Sequence, residues 1–336
     1  VVCVGGRAAP ALDSGGGEPA DLLRDHSDDF HFCAYRRQCG APYGCAATQA
    51  LVWSVFVAGC GQYGAQCSMG VAAQIEALRT AGWAKFSADA HLEAWAAHVA
   101  PIAAALSQNP EHRADWLRHG GTWFAGVNIL GNDAKGRVEQ GPALGGAVVD
   151  CLTALHGPMS LDRGQISVTY PGYPAFDGQE SAAAHRYRVN RAAAHVDGLL
   201  AIGPERRRFV HEPHQYVLGI PLGKSNAEAS PLVIWEGSHS LIRAAFKSVL
   251  DSLPVAQWGS VDLTEVYHKA RKDCFDRCRR KSILAQPGEC YVLHRLALHG
   301  IAPWGAGAQA PPEGRIVAYF RPQTQGNLND WLNGEY

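Results

Sequence analysis

Ala192-Ala193-Ala194-His195-Val196-Asp197, with Leu298-His299-Gly300-Ile301-Ala302-Pro303 about a hundred residues later, decides how this chain reads. One residue separates His195 from Asp197, so on extended backbone both side chains point to the same face. An imidazole and a carboxylate side by side make two-thirds of a metal site, and His299 from a distant strand supplies the rest. Two His and one carboxylate on one face leave the opposite face of an iron(II) ion open. His299 follows a strand-like run from Glu289 to Leu293, and Arg315 opens another, Arg315-Ile316-Val317-Ala318-Tyr319-Phe320. The forked guanidinium of such an arginine suits a carboxylate-bearing co-substrate. In a chain with 15 histidines a lone H-x-D is weak. The ordered set carries the signal: a strand-like run and H-x-D, a Gly-Ser-His turn, Pro-Gly-Glu before a strand, His-Gly, then Arg on a strand.

Leu232-Val233-Ile234-Trp235-Glu236-Gly237-Ser238-His239, Pro287-Gly288-Glu289 and the His299 segment resemble the phytanoyl-CoA dioxygenase-like group of iron(II)/2-oxoglutarate oxygenases. Ile75 to Trp83 is similar to that family's opening helix and Gly-aromatic step, so the resemblance spans roughly residues 70 to 323. It implies a mainly β fold with flanking helices, a distorted double-stranded β-helix of jelly-roll, cupin-like type. It further implies Fe(II) held by His195, Asp197 and His299, and 2-oxoglutarate and O2 as co-substrates. The far carboxylate of 2-oxoglutarate would be paired to Arg315, with no catalytic residue beyond the metal ligands. The implied reaction hydroxylates a C–H bond of an unidentified small molecule and converts 2-oxoglutarate to succinate. An Asp at position 197, where related halogenases carry a small residue, favours hydroxylation. Arg315 lies 16 residues after His299, a long gap that an enlarged loop over Gly305 to Gly314 absorbs. Arg321 falls on the same strand face by period two and is the rival anchor.

With 336 residues, 47% hydrophobic and 18% charged, the chain can bury a sizeable core. A net charge of −1 argues against a nucleic-acid or membrane-surface role. No apolar run reaches the roughly 18 residues of a membrane span, and the expected compartment is the cytoplasm. Basic runs at Glu205 to Arg208 and Arg277 to Lys281 read as solvated faces, with a local anchor for an anionic or acyl-thioester substrate as the alternative. Cys33, Cys39, Cys45, Cys60 and Cys67 show no zinc spacing and read as free or buried thiols, pairing only if this region is exported. Cys274 and Cys278 share one helix face and read as packing residues.

The chain divides into a Gly/Cys-rich extension over 1–69, a catalytic domain over 70–323 and a tail over 324–336. In the extension, only Ala46 to Ala58 suggests a helix. Val71, Ile75 and Leu78 step as a helix that Gly82 stops. Trp83 to Phe86 predicts a strand, and Ser87 caps a helix from Ala88 to about Leu106. Strands are expected over Thr122 to Leu130, Gln165 to Tyr170, Gln215 to Leu222, Pro231 to Trp235, Cys290 to Leu293 and Ile316 to Phe320. Helices are expected over Ala143 to His156, Ser240 to Ser252 and within Asp262 to Arg280.

The remaining candidates have plainer readings. His294 fits a structural or site-orienting role, His239 a turn, and His211 with His214 an extended H-x-x-H. Trp235 and Trp304 suit either the core or a substrate channel. Competing functions are a non-catalytic or zinc-binding cupin-like protein, a hydrolase built on Ser238-His239, and an acyl-carrier or CoA-binding module. G-x-S-x-G is absent at Ser238, against the hydrolase. The oligomeric state is not legible.

Overall fold

The structure is a computed structural model that describes residues 63–158 and 160–334. The expected helix over 46–58 and Cys33, Cys39, Cys45 and Cys60 lie outside the described residues. Along the chain come α1 (Tyr63–Ala81), β1 (Trp83–Phe86), α2 (Ala90–Gln108), α3 (Pro110–Trp116), β2 (Leu117–Arg118) and β3 (Trp123–Gly126). Then follow α4 (Ala147–His156), β4 (Gln165–Thr169), α5 (Ala182–Arg191), β5 (Leu199–Ile202), β6 (Arg207–Val210) and β7 (Tyr216–Pro221). The last third holds β8 (Leu232–Trp235), α6 (Ser238–Leu250), α7 (Thr264–Arg277), β9 (Arg280–Ile283), β10 (Cys290–His294), β11 (His299–Ile301), β12 (Arg315–Phe320) and α8 (Leu328–Asn333).

The strands form a mostly antiparallel architecture with flanking helices. A seven-stranded sheet runs β1-β10-β7-β12-β4-β3-β2, a three-stranded sheet runs β11-β8-β9, and β5 pairs with β6. Period-two alternation divides each central strand between two cores. Leu218, Ile220, Val292, Ile316, Ala318 and Phe320 pack against residues of α1, α2 and α4. Their neighbours Val217, Tyr291, Leu293, Val317 and Tyr319 pack on Leu232 and Ile234 of the small sheet. The large sheet is therefore sandwiched between a helical layer and the small sheet. A third core, with Trp235, Phe246, Trp258, Tyr267 and Trp331, joins α6, α7 and α8 on the far side of the small sheet.

Three expected boundaries shift for local reasons. Asp89 rather than Ser87 caps α2, because its carboxylate accepts from the backbone N–H of His91 and Leu92 at 2.9 and 3.0 Å. The strand expected over Thr122 to Leu130 covers only Trp123–Gly126, and Asn128 has a left-handed φ of 56°. The helix expected from Ala143 begins at Ala147, after Gly146 with φ 88°.

The run before His195 differs more. It is α5, capped by the Ser181 side chain on the Ala184 N–H, and not a strand-like segment. Its polar residues hide the helical pattern, since only Ala184 and Arg188 are buried. Part of the Arg277 to Lys281 run forms β9, an edge strand in which Arg280 is exposed and Lys281 half-buried.

Candidate functional site

His195 and Asp197 lie outside the named strands, but His195 still adopts strand geometry locally. Its N–H donates to the His299 carbonyl at 2.8 Å, and the His299 N–H returns to the His195 carbonyl at 3.0 Å. The chain reaches this bridge from α5 through Ala192 and Ala193, both left-handed at φ 55° and 50°. Ile301 N–H donates to the Ala192 carbonyl at 3.0 Å. The approach is so close that a Cβ at position 300 would collide with that carbonyl, which explains the glycine in His299-Gly300. Two tyrosines clamp the same segment: Tyr187 of α5 donates its hydroxyl to the Ala194 carbonyl at 2.7 Å, and the Val196 N–H donates to the Tyr267 hydroxyl of α7 at 3.1 Å.

His195, Asp197 and His299 each present one ligand atom, all within 4.8 Å of one another. Their chemistry is set by the other ring nitrogens. His195 Nδ1 lies 2.9 Å from the Ala193 carbonyl, and His299 Nδ1 lies 3.0 Å from the Ala297 carbonyl. A carbonyl can only accept, so both Nδ1 atoms carry hydrogen and the neutral rings present bare Nε2 lone pairs. Those Nε2 atoms face the Asp197 carboxylate, at 3.3 Å for His195 and 3.9 Å for His299. Asp197 is 3% exposed, and its Oδ1 receives no hydrogen bond when His195 is neutral. Arg321 supplies positive charge on one side of these acceptors, 3.7 Å from Asp197 Oδ2, and a metal cation bound among them would supply it at the centre.

The donor set and spacing fit a metal ion. Ligand atoms bound at ~2.1 Å and right angles to one another sit ~3 Å apart, close to the 3.3 Å between His195 and Asp197, and a bound ion would draw the remaining atoms in from the 3.9–4.8 Å range. Backbone carbonyls accepting from the far nitrogen of each histidine are the usual means of orienting such rings.

The charges agree with that reading. Burial by itself would raise the Asp197 carboxyl, yet His195, Arg321 and His299 around it hold it well below the usual carboxylate range. Burial is the main cause that pushes the His299 imidazole down to about 4, outweighing the opposing pull of Asp197. Both groups thus stand at neutral pH in the protonation states that ligate metals.

The triad opens into a cleft lined by Trp123, Gln165, Ser167, Val217, Leu232, Ile301, Tyr319 and Arg321. Arg321 reaches to 3.7 Å from Asp197 Oδ2 and donates to Gln165 Oε1 at 2.6 Å. Arg315, six residues earlier on the same face, is 7% exposed and hydrogen-bonds the Tyr291 hydroxyl. Tyr291 and Tyr319 hydroxyls meet at 2.9 Å above Gly219, which pairs with both residues across three adjacent strands. Arg315 therefore connects to the cleft wall through Tyr291 and Tyr319.

Of the other sequence candidates, Trp304 packs beside Trp123 and Tyr173, whereas Trp235 is buried in the α6–α7 core. His239, expected to hold the turn after the strand, lies instead in the first turn of α6 and its ring faces the Arg79 carbonyl of α1 at 3.0 Å, while Ser238 accepts from the Leu298 N–H at 2.8 Å. His294 faces Arg243 at 2.8 Å. His211 and His214 diverge, to the Gly259 and Arg321 carbonyls. Sequence reasoning missed Gln165, Ser167 and Trp123. Gln165 and Ser167 share one face of β4 by period two, but nothing local marks which face meets the cleft.

No family model and no curated protein matches this chain. Solved structures show a distant likeness. AviO1 from Streptomyces viridochromogenes Tue57 is 15% identical over 76% of this chain and 96% of its own, with a TM-score of 0.42. The iron-bound EctD from S. alaskensis is 14% identical over 75% and 76%, at 0.40. SnoN, a non-heme alpha-ketoglutarate-dependent epimerase from nogalamycin biosynthesis, is 10% identical over 76% and 84%, at 0.41. Likeness this distant leaves the reading of function to the geometry of the site itself.

Proposed function

We propose that the chain is an Fe(II)- and 2-oxoglutarate-dependent oxygenase that hydroxylates a C–H bond of a small molecule, built on a distorted double-stranded β-helix over residues 70–323. The observation that carries this reading is the convergence of the His195 Nε2, the His299 Nε2 and the Asp197 carboxylate at the mouth of one cleft. Such a set holds iron(II) through three adjacent positions and leaves the opposite ones open. Iron bound there supplies the redox chemistry that couples oxygen activation to oxidative decarboxylation of 2-oxoglutarate.

The two arginines divide the remaining work. Arg321 is engaged with Asp197 and Gln165, and so it keeps the carboxylate ionised and oriented. In this reading Arg315 receives the far carboxylate of 2-oxoglutarate, supported by its hydrogen bond to Tyr291 beside Tyr319 of the cleft wall, with Arg321, which itself lines the cleft, as the rival anchor. Trp123, Val217, Leu232 and Ile301 give the cleft apolar walls that exclude water from the reacting centre.

The test is anaerobic loading with iron(II), followed by 2-oxoglutarate, while watching for the visible charge-transfer band of a chelated 2-oxo acid. The band should vanish in His195→Ala and require much more 2-oxoglutarate in Arg315→Ala. A folded, iron-loaded protein with no band would reject the oxygenase reading in favour of a metal-binding protein without this chemistry.

A further inference from the structure

Helices α5 and α7 flank the segment that carries His195, and a groove of about 680 Å³ opens between them. It shares no lining residue with the metal cleft. Its walls collect Arg186 and Arg191 from α5 with Lys269, Arg271 and Lys272 from α7, against one carboxylate, Asp276. The whole chain carries a net charge of −1, so this concentration of positive charge is local. Cations crowded into one concavity repel one another, and a bound anion relieves that repulsion.

The groove is shaped as well as charged. Arg271 is 6% exposed and lies over the rings of Tyr187 and Tyr267, at 4.8 and 5.3 Å from their centroids. Arg191 lies over Phe275 at 4.6 Å. Stacking fixes the planes of both guanidinium groups, and a fixed fork is the geometry that binds phosphate bidentately. Lys272 adds an exposed point charge at the rim, whereas Lys269 is paired with Asp273 at 3.0 Å. The groove's size lies within the range of small-molecule sites, about 300–1,000 Å³.

We propose that the groove between α5 and α7 binds a phosphate-bearing small molecule of the organic diphosphate class. Arg186, Arg191 and Lys272 face the groove with the stacked Arg271 behind them, a set that matches a ligand carrying two to three negative charges, more than one carboxylate offers. A single concave site on an otherwise neutral chain suits a small ligand better than a nucleic acid, which needs a basic track along its backbone. The stacked Tyr187 and Tyr267 are the residues whose hydroxyls hold Ala194 and Val196 on either side of His195, so the groove is wired directly to the metal segment. The proposal itself does not depend on the metal reading.

The test is calorimetric titration of the full chain with ADP, inorganic pyrophosphate and inorganic phosphate near physiological salt. Saturable one-to-one binding of ADP or pyrophosphate is expected. Arg186→Glu with Lys272→Glu, one reversal from each helix on exposed positions, should weaken it roughly tenfold or more through lost charge-assisted hydrogen bonds. Arg186→Lys with Lys272→Arg should retain affinity to within about threefold. ADP tighter than pyrophosphate identifies an ester whose organic part is also held, and equal affinities identify the diphosphate alone. The proposal is overturned by absence of saturable binding, by equal affinity in the folded charge-reversal protein, or by a short single-stranded oligonucleotide that displaces ADP at lower concentration.

Discussion

Replacing Asp197 by Asn tests the metal centre with the smallest change in shape. The substitution turns one buried acceptor into a donor and removes a charge at a position 3% exposed. Four-ligand structural zinc sites bind by roughly 10–16 kcal/mol, so one ligand is worth about 3 kcal/mol, or about a hundredfold in affinity. The metal-free protein should respond far less, because two effects oppose. The new amide can donate to His195 Nε2, 3.3 Å from Oδ1 in the parent, and so relieves the crowding of acceptors. Arg321 loses its partner at 3.7 Å but keeps Gln165 at 2.6 Å. Breaking a fully buried pair costs about 3–5 kcal/mol, and the retained Gln165 contact lowers that ceiling here.

Cobalt(II) is a suitable probe, read by its visible absorption and by thermal unfolding with and without metal. At a concentration one hundred times the parent dissociation constant, metal stabilises the parent by about 2.7 kcal/mol. For a domain of this size that is a rise in Tm of roughly 5–10 °C. At the same concentration Asp197→Asn should gain about 1 °C or less. Cobalt affinity in Asp197→Asn within about threefold of the parent, alongside loss of binding in His195→Ala, would refute the assignment of the carboxylate as a ligand.

Two further predictions follow from buried groups. The His119 and His299 imidazoles are each pushed down from 6.5 to about 4, chiefly by burial, so the unfolded chain takes up more protons than the fold between those values. Stability of the metal-free protein should therefore be full above pH 6.5 and fall as pH drops towards 4, each histidine costing on the order of 3 kcal/mol; urea midpoints unchanged between pH 7 and 4.5 would contradict it. At Gly219, a Cβ would run into the Tyr291 ring, so Gly219→Ala should displace the tyrosine that links Arg315 to Tyr319, at a cost of about 1–3 kcal/mol. The expected signature is a higher 2-oxoglutarate requirement with unchanged cobalt affinity, and equal loss of both would point to general disruption instead.

Sequence alone determined the features that depend on short-range spacing. Alternation along Arg315 to Phe320 forecast a strand with two faces, and the i, i+2 spacing of His195 and Asp197 forecast side chains on one side, because backbone geometry sets both. Helix limits followed less well where a competing cap sat two residues along, as at Asp89, or where polar residues masked the buried side, as in α5. Tertiary structure decided what period two leaves degenerate. Arg315 opens β12 and Arg321 directly follows its end, so period two puts both on one face and leaves Arg321 as the rival of Arg315. They part company because Asp197 and Gln165 stand opposite one, and Tyr291 opposite the other. The basic groove was hidden for the same reason: α5 and α7 are separated by more than seventy residues, and only packing against the His195 segment brings their arginines and lysines together. Spacing along a chain fixes direction, but long-range folding selects the partner that gives a charge its role.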